Sequence, residues 1–268
     1  MNVRDFTFDH YGRLLDAALD NGYTFYTLHD YVTRSDHDSP YIIVRHDVDR
    51  KVGTARSMAR VEAERDVSTS YYFRTSTFSP ETVAEVSELG HEVGYHYEDL
   101  AKTRGDFEAA HERFGRNLAR FREHVDVTTI CPHGSPLSPH HNLDMWRGEY
   151  TIEDYDLLAE AYLSVDTGND DDAIPSYVSD TGRDWGTDVA GFGRISTTDD
   201  LIAGLGSGGC ERLYLLVHPG RWSRNPAEHL QRVAWDLAAE AGKSTARTVH
   251  SIGRTSSDRI ARAMRERV

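Results

Sequence analysis

The chain has 268 residues, enough for one large domain with a sizeable core. Its 44 acidic against 30 basic residues leave a net charge of -14, which excludes non-specific nucleic-acid binding because phosphates would be repelled. The two cysteines, Cys131 and Cys210, are too few for a disulfide framework or a cysteine-based zinc site.

The elements follow in chain order. Leu14, Leu15, Ala18 and Leu19 at helical spacing predict a helix over residues 8–20, stopped by Asn21-Gly22. Thr24-Phe25-Tyr26 predicts a short strand, and Tyr41-Ile42-Ile43-Val44 a buried one that runs into Arg45-His46-Asp47-Val48-Asp49. Ala55, Met58, Ala59 and Glu62 place a helix over 51–65, and Ser68 to Phe73 is the next strand. Ser79-Pro80-Glu81-Thr82 opens a helix, with Ser79 as N-cap and Pro80 in the first turn; Leu89-Gly90 ends it. His91 to His96 is a strand, 106–124 a long helix, and Val127 to Cys131 a strand that enters the rigid loop Pro132-His133-Gly134-Ser135-Pro136. Residues 139–190 are poorly periodic and carry Asp170-Asp171-Asp172; short strands are expected near Tyr162–Val165 and Tyr177–Ser179. A helix over Asp199 to Leu205, a strand over Leu213 to Val217 and a long helix over 226–241 complete the pattern. The tail from Ser256 puts Ile260, Met264 and Val268 on one stripe, expected to dock on the acidic body.

Strand and helix alternate throughout, which argues a parallel α/β fold in one domain spanning 1–268. No apolar run is long enough to cross a bilayer, and residues 1–6 carry no apolar export signal, so a cytoplasmic location without stable membrane insertion is expected. Lysine occurs only at Lys51, Lys102 and Lys243, while Asp and Arg abound. That balance suits concentrated salt, where self-repulsion is screened, and it looks haloarchaeal.

The chemistry gathers after the strands. Side chains alternate along a strand, so Arg45, Asp47 and Asp49 share a face, with the two aspartates about 7 Å apart along the backbone. Two carboxylates that close repel unless one takes a proton or a cation sits between them. Three more strand ends carry histidine: His91 through Asp99, Cys131 through Pro136, and Val217-His218-Pro219-Gly220-Arg221-Trp222. In parallel α/β barrels that end of the strands hosts the chemistry.

The Asp47-Val48-Asp49 pair, the Gly90-His91-Glu92-Val93-Gly94-Tyr95-His96 string and Val217-His218-Pro219, in this order, resemble the NodB-type polysaccharide deacetylases, carbohydrate esterase family 4, in their cytoplasmic Asp-Val-Asp branch. The resemblance covers roughly residues 40–225. It implies a distorted (β/α)7 barrel, a divalent metal, most often zinc, and metal-assisted hydrolysis of an acetyl group from an acetylated amino sugar or glycan precursor, with metal-bound water attacking the amide. By position it implies Asp47 as general base, Asp49 and His96 as metal ligands, and His218 as the acid that protonates the leaving amine. Carboxylate and imidazole are ligands that zinc accepts.

Two departures bear on the site. The family's second metal histidine falls on Leu100, which cannot bind metal. Glu98 replaces it if the chain stays extended past His96, Asp99 if a helix starts there, and His133 can reach over from the next strand. The family's Arg-Pro-Tyr loop is absent, with Pro132-His133-Gly134-Ser135 in its place, so Arg45 or Arg183 orients the base. His133, Arg183, Trp185 and Trp222 are expected to contact substrate, with 180–185 as its wall. Two rival readings keep the fold: a glycan-binding barrel without catalysis, motivated by Leu100, and an allantoinase-like hydrolase of a non-sugar amide.

Overall fold

In a computed structural model, residues 5–165, 176–225 and 227–228 are described. The chain runs α1 (Phe8–Asp20), β1 (Thr24–Tyr26), α2 (Leu28–Thr33), β2 (Tyr41–Val48), α3 (Val52–Ala63), β3 (Ser70–Phe73), α4 (Pro80–Glu88), β4 (Glu92–Tyr97), α5 (Asp99–Lys102), α6 (Phe107–Arg122) and β5 (Thr129–Pro132). It continues through β6 (Ala159–Glu160), β7 (Ser176–Ser179), the hairpin β8 (Thr187–Val189) and β9 (Gly193–Ile195), α7 (Thr198–Ser207) and β10 (Arg212–Val217). The Asp170-Asp171-Asp172 run, the helix expected to 241 and the tail stripe of Ile260, Met264 and Val268 lie outside the described residues.

Seven strands form one parallel, curled sheet in the order β6-β5-β4-β3-β2-β10-β7. This is the distorted (β/α)7 barrel that was expected. β1 adds a short rung beside the first half of β2, pairing with Tyr41–Ile43, while β3 takes the second half from Arg45 to Val48. Helices cover the outside and leave the strand ends at one rim.

Alternation along β2 sorts the residues into layers. Ile42 and Val44 pack outward with α1 and α7 residues such as Leu14 and Leu201, and Val48 packs with Ala55 and Val83 beneath α3 and α4. Ile43 faces inward among Tyr72, Cys131 and Tyr214. Arg45 and Asp47 continue that inward face, so the strand that carries the chemistry is buried on both sides.

The strand expected near Tyr162–Val165 lies earlier, at Ala159–Glu160. The Glu160 carboxylate accepts the backbone N–H groups of Tyr162 (2.7 Å) and Leu163 (2.9 Å), which folds the following residues into a turn. Besides the short α5, two features were not anticipated. One is α2, capped by the Thr27 hydroxyl accepting Asp30 N–H at 3.0 Å, and the other is the β8–β9 hairpin.

Candidate functional site

Because the strands are parallel, their C-terminal ends meet at one rim, and register decides which side chains share a level. His96 on β4 pairs with Cys131 on β5, and Val217 on β10 pairs with His46 on β2. Asp47 and Asp49, His96, His133 and His218 therefore converge at the mouth of the barrel. Asp47, Asp49, Arg50, Arg74 and His218 line a cavity there of about 250 Å3.

Asp47 sits 5% exposed at the end of β2. Arg45, two residues earlier on the same face, places Nε 3.1 Å from Asp47 Oδ1 and Nη2 3.5 Å from Oδ2. The Cys131 thiol donates to Oδ1 at 3.5 Å. Burial works against ionisation of Asp47, but the Arg45 guanidinium, with His96 and His218, overrides it and holds the carboxyl below its ordinary range. Arg45 is thus the arginine that orients Asp47. Its guanidinium is steadied by the phenol oxygens of Tyr162 at 2.8 Å and Tyr214 at 3.2 Å.

Asp49 lies just past the strand, and its Oδ1 stands 3.4 Å from His96 Nε2 and 3.5 Å from His133 Nε2. That oxygen is buried and accepts no hydrogen bond. Burial raises the Asp49 pKa, but the contact and charge of His96, with His133 and His218 behind it, bring it well below the usual carboxylate range.

The other nitrogens of both rings are engaged. His96 Nδ1 lies 3.0 Å from the Cys131 carbonyl, which can only accept, so Nδ1 carries the proton. Nε2 of a neutral His96 is then a lone pair aimed at two carboxylates, with Asp47 Oδ2 at 3.7 Å. That arrangement repels unless the ring is protonated or a cation lies between. Burial alone would favour the neutral ring, yet Asp47 and Asp49 raise the His96 pKa. His133 Nδ1 lies 3.0 Å from the Ser135 hydroxyl and 3.5 Å from Glu98 Oε2. Metal-binding histidines share this pattern, one nitrogen held by an outer partner and the other free to coordinate. The orphaned Asp49 oxygen between two such imidazoles fits a divalent metal.

Glu98, expected as a ligand, is turned elsewhere. β4 ends at Tyr97, so alternation no longer applies, and Glu98 becomes the N-cap position of α5 with φ -137° and ψ 25°. Its carboxylate takes Arg74 Nη2 at 2.6 Å and Lys102 Nζ at 3.7 Å, and stays ionised, held down to about 2 against burial by His133 and Arg74. Asp99, the helical alternative, is fully buried against Tyr95 (2.7 Å), Arg113 and Asn117 and faces away from the centre. Leu100 is core. Among the described residues, the three candidate ligand atoms that all lie within 4.8 Å of one another belong to Asp47, His96 and Cys131. There Asp47 is already committed to Arg45, and burial pushes the Cys131 thiol well up, so it is a donor rather than a thiolate.

His218, at the end of β10, is fixed by a residue that the sequence placed only in an expected substrate wall. Asp180 follows β7 directly and is fully buried. Its carboxylate accepts His218 Nδ1 at 2.6 Å, His218 N–H at 2.9 Å, Trp222 Nε1 at 2.9 Å and Arg221 Nη1 at 3.1 Å. Burial opposes its charge, but His218 and Arg221 keep it ionised. The signal was present: a buried strand cut off by aspartate, as at Asp47. Two tryptophans expected at the substrate are core side chains here. Trp185 stacks on Phe6 at 5.6 Å and donates to Thr198, and Trp222 is wholly buried on Phe6 and Tyr11. Arg183 donates to the Arg221 carbonyl at 2.7 Å, beside the Asp180 loop.

No helix among the described residues is long and apolar enough to cross a membrane. No family model and no curated protein matches the chain. Several solved structures do. A CE4 family pseudoenzyme from Bacillus anthracis aligns at 12% identity and TM-score 0.40 over 76% of this chain; the alignment spans only 62% of that longer chain. A family 4 carbohydrate esterase from Streptomyces lividans, solved with acetate, aligns at 16% identity and TM-score 0.42, covering 75% of this chain and 89% of its own. A peptidoglycan deacetylase from Bacillus subtilis aligns at 13% identity and TM-score 0.43, covering 76% and 86%.

Proposed function

We propose that the protein is a metal-dependent hydrolase that removes an acetyl group from an N-acetylated sugar, with Asp49, His96 and His133 as the ligand set. The observation that carries this is the Asp49 oxygen without a hydrogen bond, placed between two imidazole nitrogens whose partner nitrogens are already held. His133 takes the place that Leu100 leaves vacant, and Glu98 supports it through Nδ1 instead of coordinating. The cation would supply Lewis-acid polarisation of the acyl oxygen and make water more acidic.

The remaining chemistry belongs to the chain. Asp47, ionised and aligned by Arg45, accepts a proton as water adds to the acyl carbon. His218, whose ring Asp180 holds by Nδ1, presents Nε2 to the same cavity and gives a proton to the sugar nitrogen as the carbon–nitrogen bond breaks. Acetate and the free amino sugar leave. The buried walls around Asp47 strengthen these charge interactions relative to water.

Acetate release from N-acetylated hexosamines by zinc-loaded protein is the test. Asp47→Asn keeps the shape and removes the base, so turnover should fall on the order of 10²–10⁴-fold. An Asp47→Asn protein as active as the wild type rules out this assignment. Sugar binding with no acetate from any acetylated hexosamine would favour the non-catalytic reading.

A further inference from the structure

Next to the centre lies a larger cavity of about 550 Å3, within the range of small-molecule sites. Arg74, Lys102 and Arg104 line it, with Glu98 as its one carboxylate and Pro136 and Leu137 as apolar wall. Three cations against one acid invert the balance of a chain with 44 acidic and 30 basic residues, and Lys102 is one of its three lysines. Glu98 is shared between Arg74 at 2.6 Å and Lys102 at 3.7 Å, so one carboxylate faces two cations and leaves positive charge over. Arg74 also lines the 250 Å3 cavity of Asp47, Asp49 and His218, and its buried Nε has no hydrogen-bond partner.

From this we infer that the cleft is an anion subsite and that the sugar carries a carboxylate or a phosphate beside the acetamido group. The inference rests on the deacetylase reading for its substrate and goes beyond it in assigning charge. Guanidinium groups present N–H pairs that match carboxylate and phosphate oxygens, and cations in a walled cleft act over a longer reach than on open surface. Arg74 stands where the two cavities meet, so an anion bound in the cleft places the neighbouring ring at the reactive mouth. Lys102 and Arg104 are exposed and free to reorient onto it. An acidic protein would otherwise repel such a substrate, which gives this local reversal of charge a purpose.

The test uses zinc-loaded full-length protein and three probes: methyl N-acetylglucosaminide, its 6-carboxylate counterpart, and N-acetylglucosamine 1-phosphate. Binding and acetate release are both measured, for the wild type, Arg104→Glu and Lys102→Gln. The expected result is that kcat/KM for at least one charged probe exceeds that for the neutral sugar by about tenfold or more. That ratio should collapse in Arg104→Glu and shrink in Lys102→Gln, and the better charged probe names the anion. Acetate released equally from charged and neutral probes overturns the subsite and leaves the deacetylase standing. Arg104-dependent binding of charged probes without acetate overturns the deacetylase and keeps the subsite. No binding and no acetate overturn both.

Discussion

Glu62 and Asp49 are both carboxylates flanked by two histidines, on opposite sides of one sheet, and they are handled in opposite ways. On the outer side, Glu62 is fully buried; Oε1 lies 2.7 Å from His46 Nε2 and accepts from Tyr11, while Oε2 accepts Tyr71 at 2.5 Å and Thr69 at 3.0 Å. The nearby His91 is also satisfied, Nε2 on the Ala59 carbonyl and Nδ1 accepting Thr69 N–H. On the inner side, Asp49 Oδ1 has no donor, and His96 has one nitrogen on a carbonyl and the other on nothing but carboxylates. Residue types do not separate the two clusters. The carboxylate's own hydrogen bonds do: both Glu62 oxygens accept donors at the α3–sheet contact, where the one buried polar atom left over is His46 Nδ1, whereas Asp49 Oδ1 accepts none and opens onto a cavity.

The contrast can be broken most forcefully at Glu62. Glu62→Gln removes the buried charge on which His46, Tyr11, Tyr71 and Thr69 converge and should cost about 1.5–3 kcal/mol of unfolding free energy, read from urea or thermal curves. A change below about 1 kcal/mol would mean that the outer cluster is not what steadies the helix. The pH dependence has a defined sign. Burial would raise the Glu62 pKa, but His46 leads the interactions that lower it from 4.5 to about 2. Its contribution is therefore complete above pH 4.5 and lost as pH falls towards 2, worth about 3 kcal/mol. Glu62→Gln should flatten that acid limb.

Smaller effects sharpen the inner cluster. Glu98→Gln, which keeps shape but removes the charge beside His133, should weaken zinc binding about 10–100-fold. Cys131→Ser keeps a donor for Asp47 and should leave zinc stoichiometry unchanged; loss of the metal in that variant would transfer the site to Asp47, His96 and Cys131.

The sequence disclosed the barrel and most of its rim because hydrophobic periodicity and strand-end charge survive in one dimension. Asp47, His96 and His218 sit at the ends of strands whose apolar runs are unambiguous. What it hid depends on where strands stop. Alternation carried Glu98 into the expected ligand set, but β4 ends one residue earlier, and the side chain that stands 3.5 Å from Asp49 is His133 after the next strand. Trp185 and Trp222 looked like substrate contacts because tryptophans near a loop give no sign of burial; both are core, and the residue of consequence between them and the strand is Asp180. The turn after β6 escaped notice because it is closed by a single carboxylate, Glu160, on two backbone groups.

The most direct test of the central claim is calorimetric titration of zinc into metal-free wild type, His133→Ala and Asp49→Asn. One zinc per wild-type chain, with binding lost or weakened about 100-fold or more in both variants, is the result that a site of Asp49, His96 and His133 predicts. Zinc held as tightly without the His133 imidazole or the Asp49 carboxylate would contradict it.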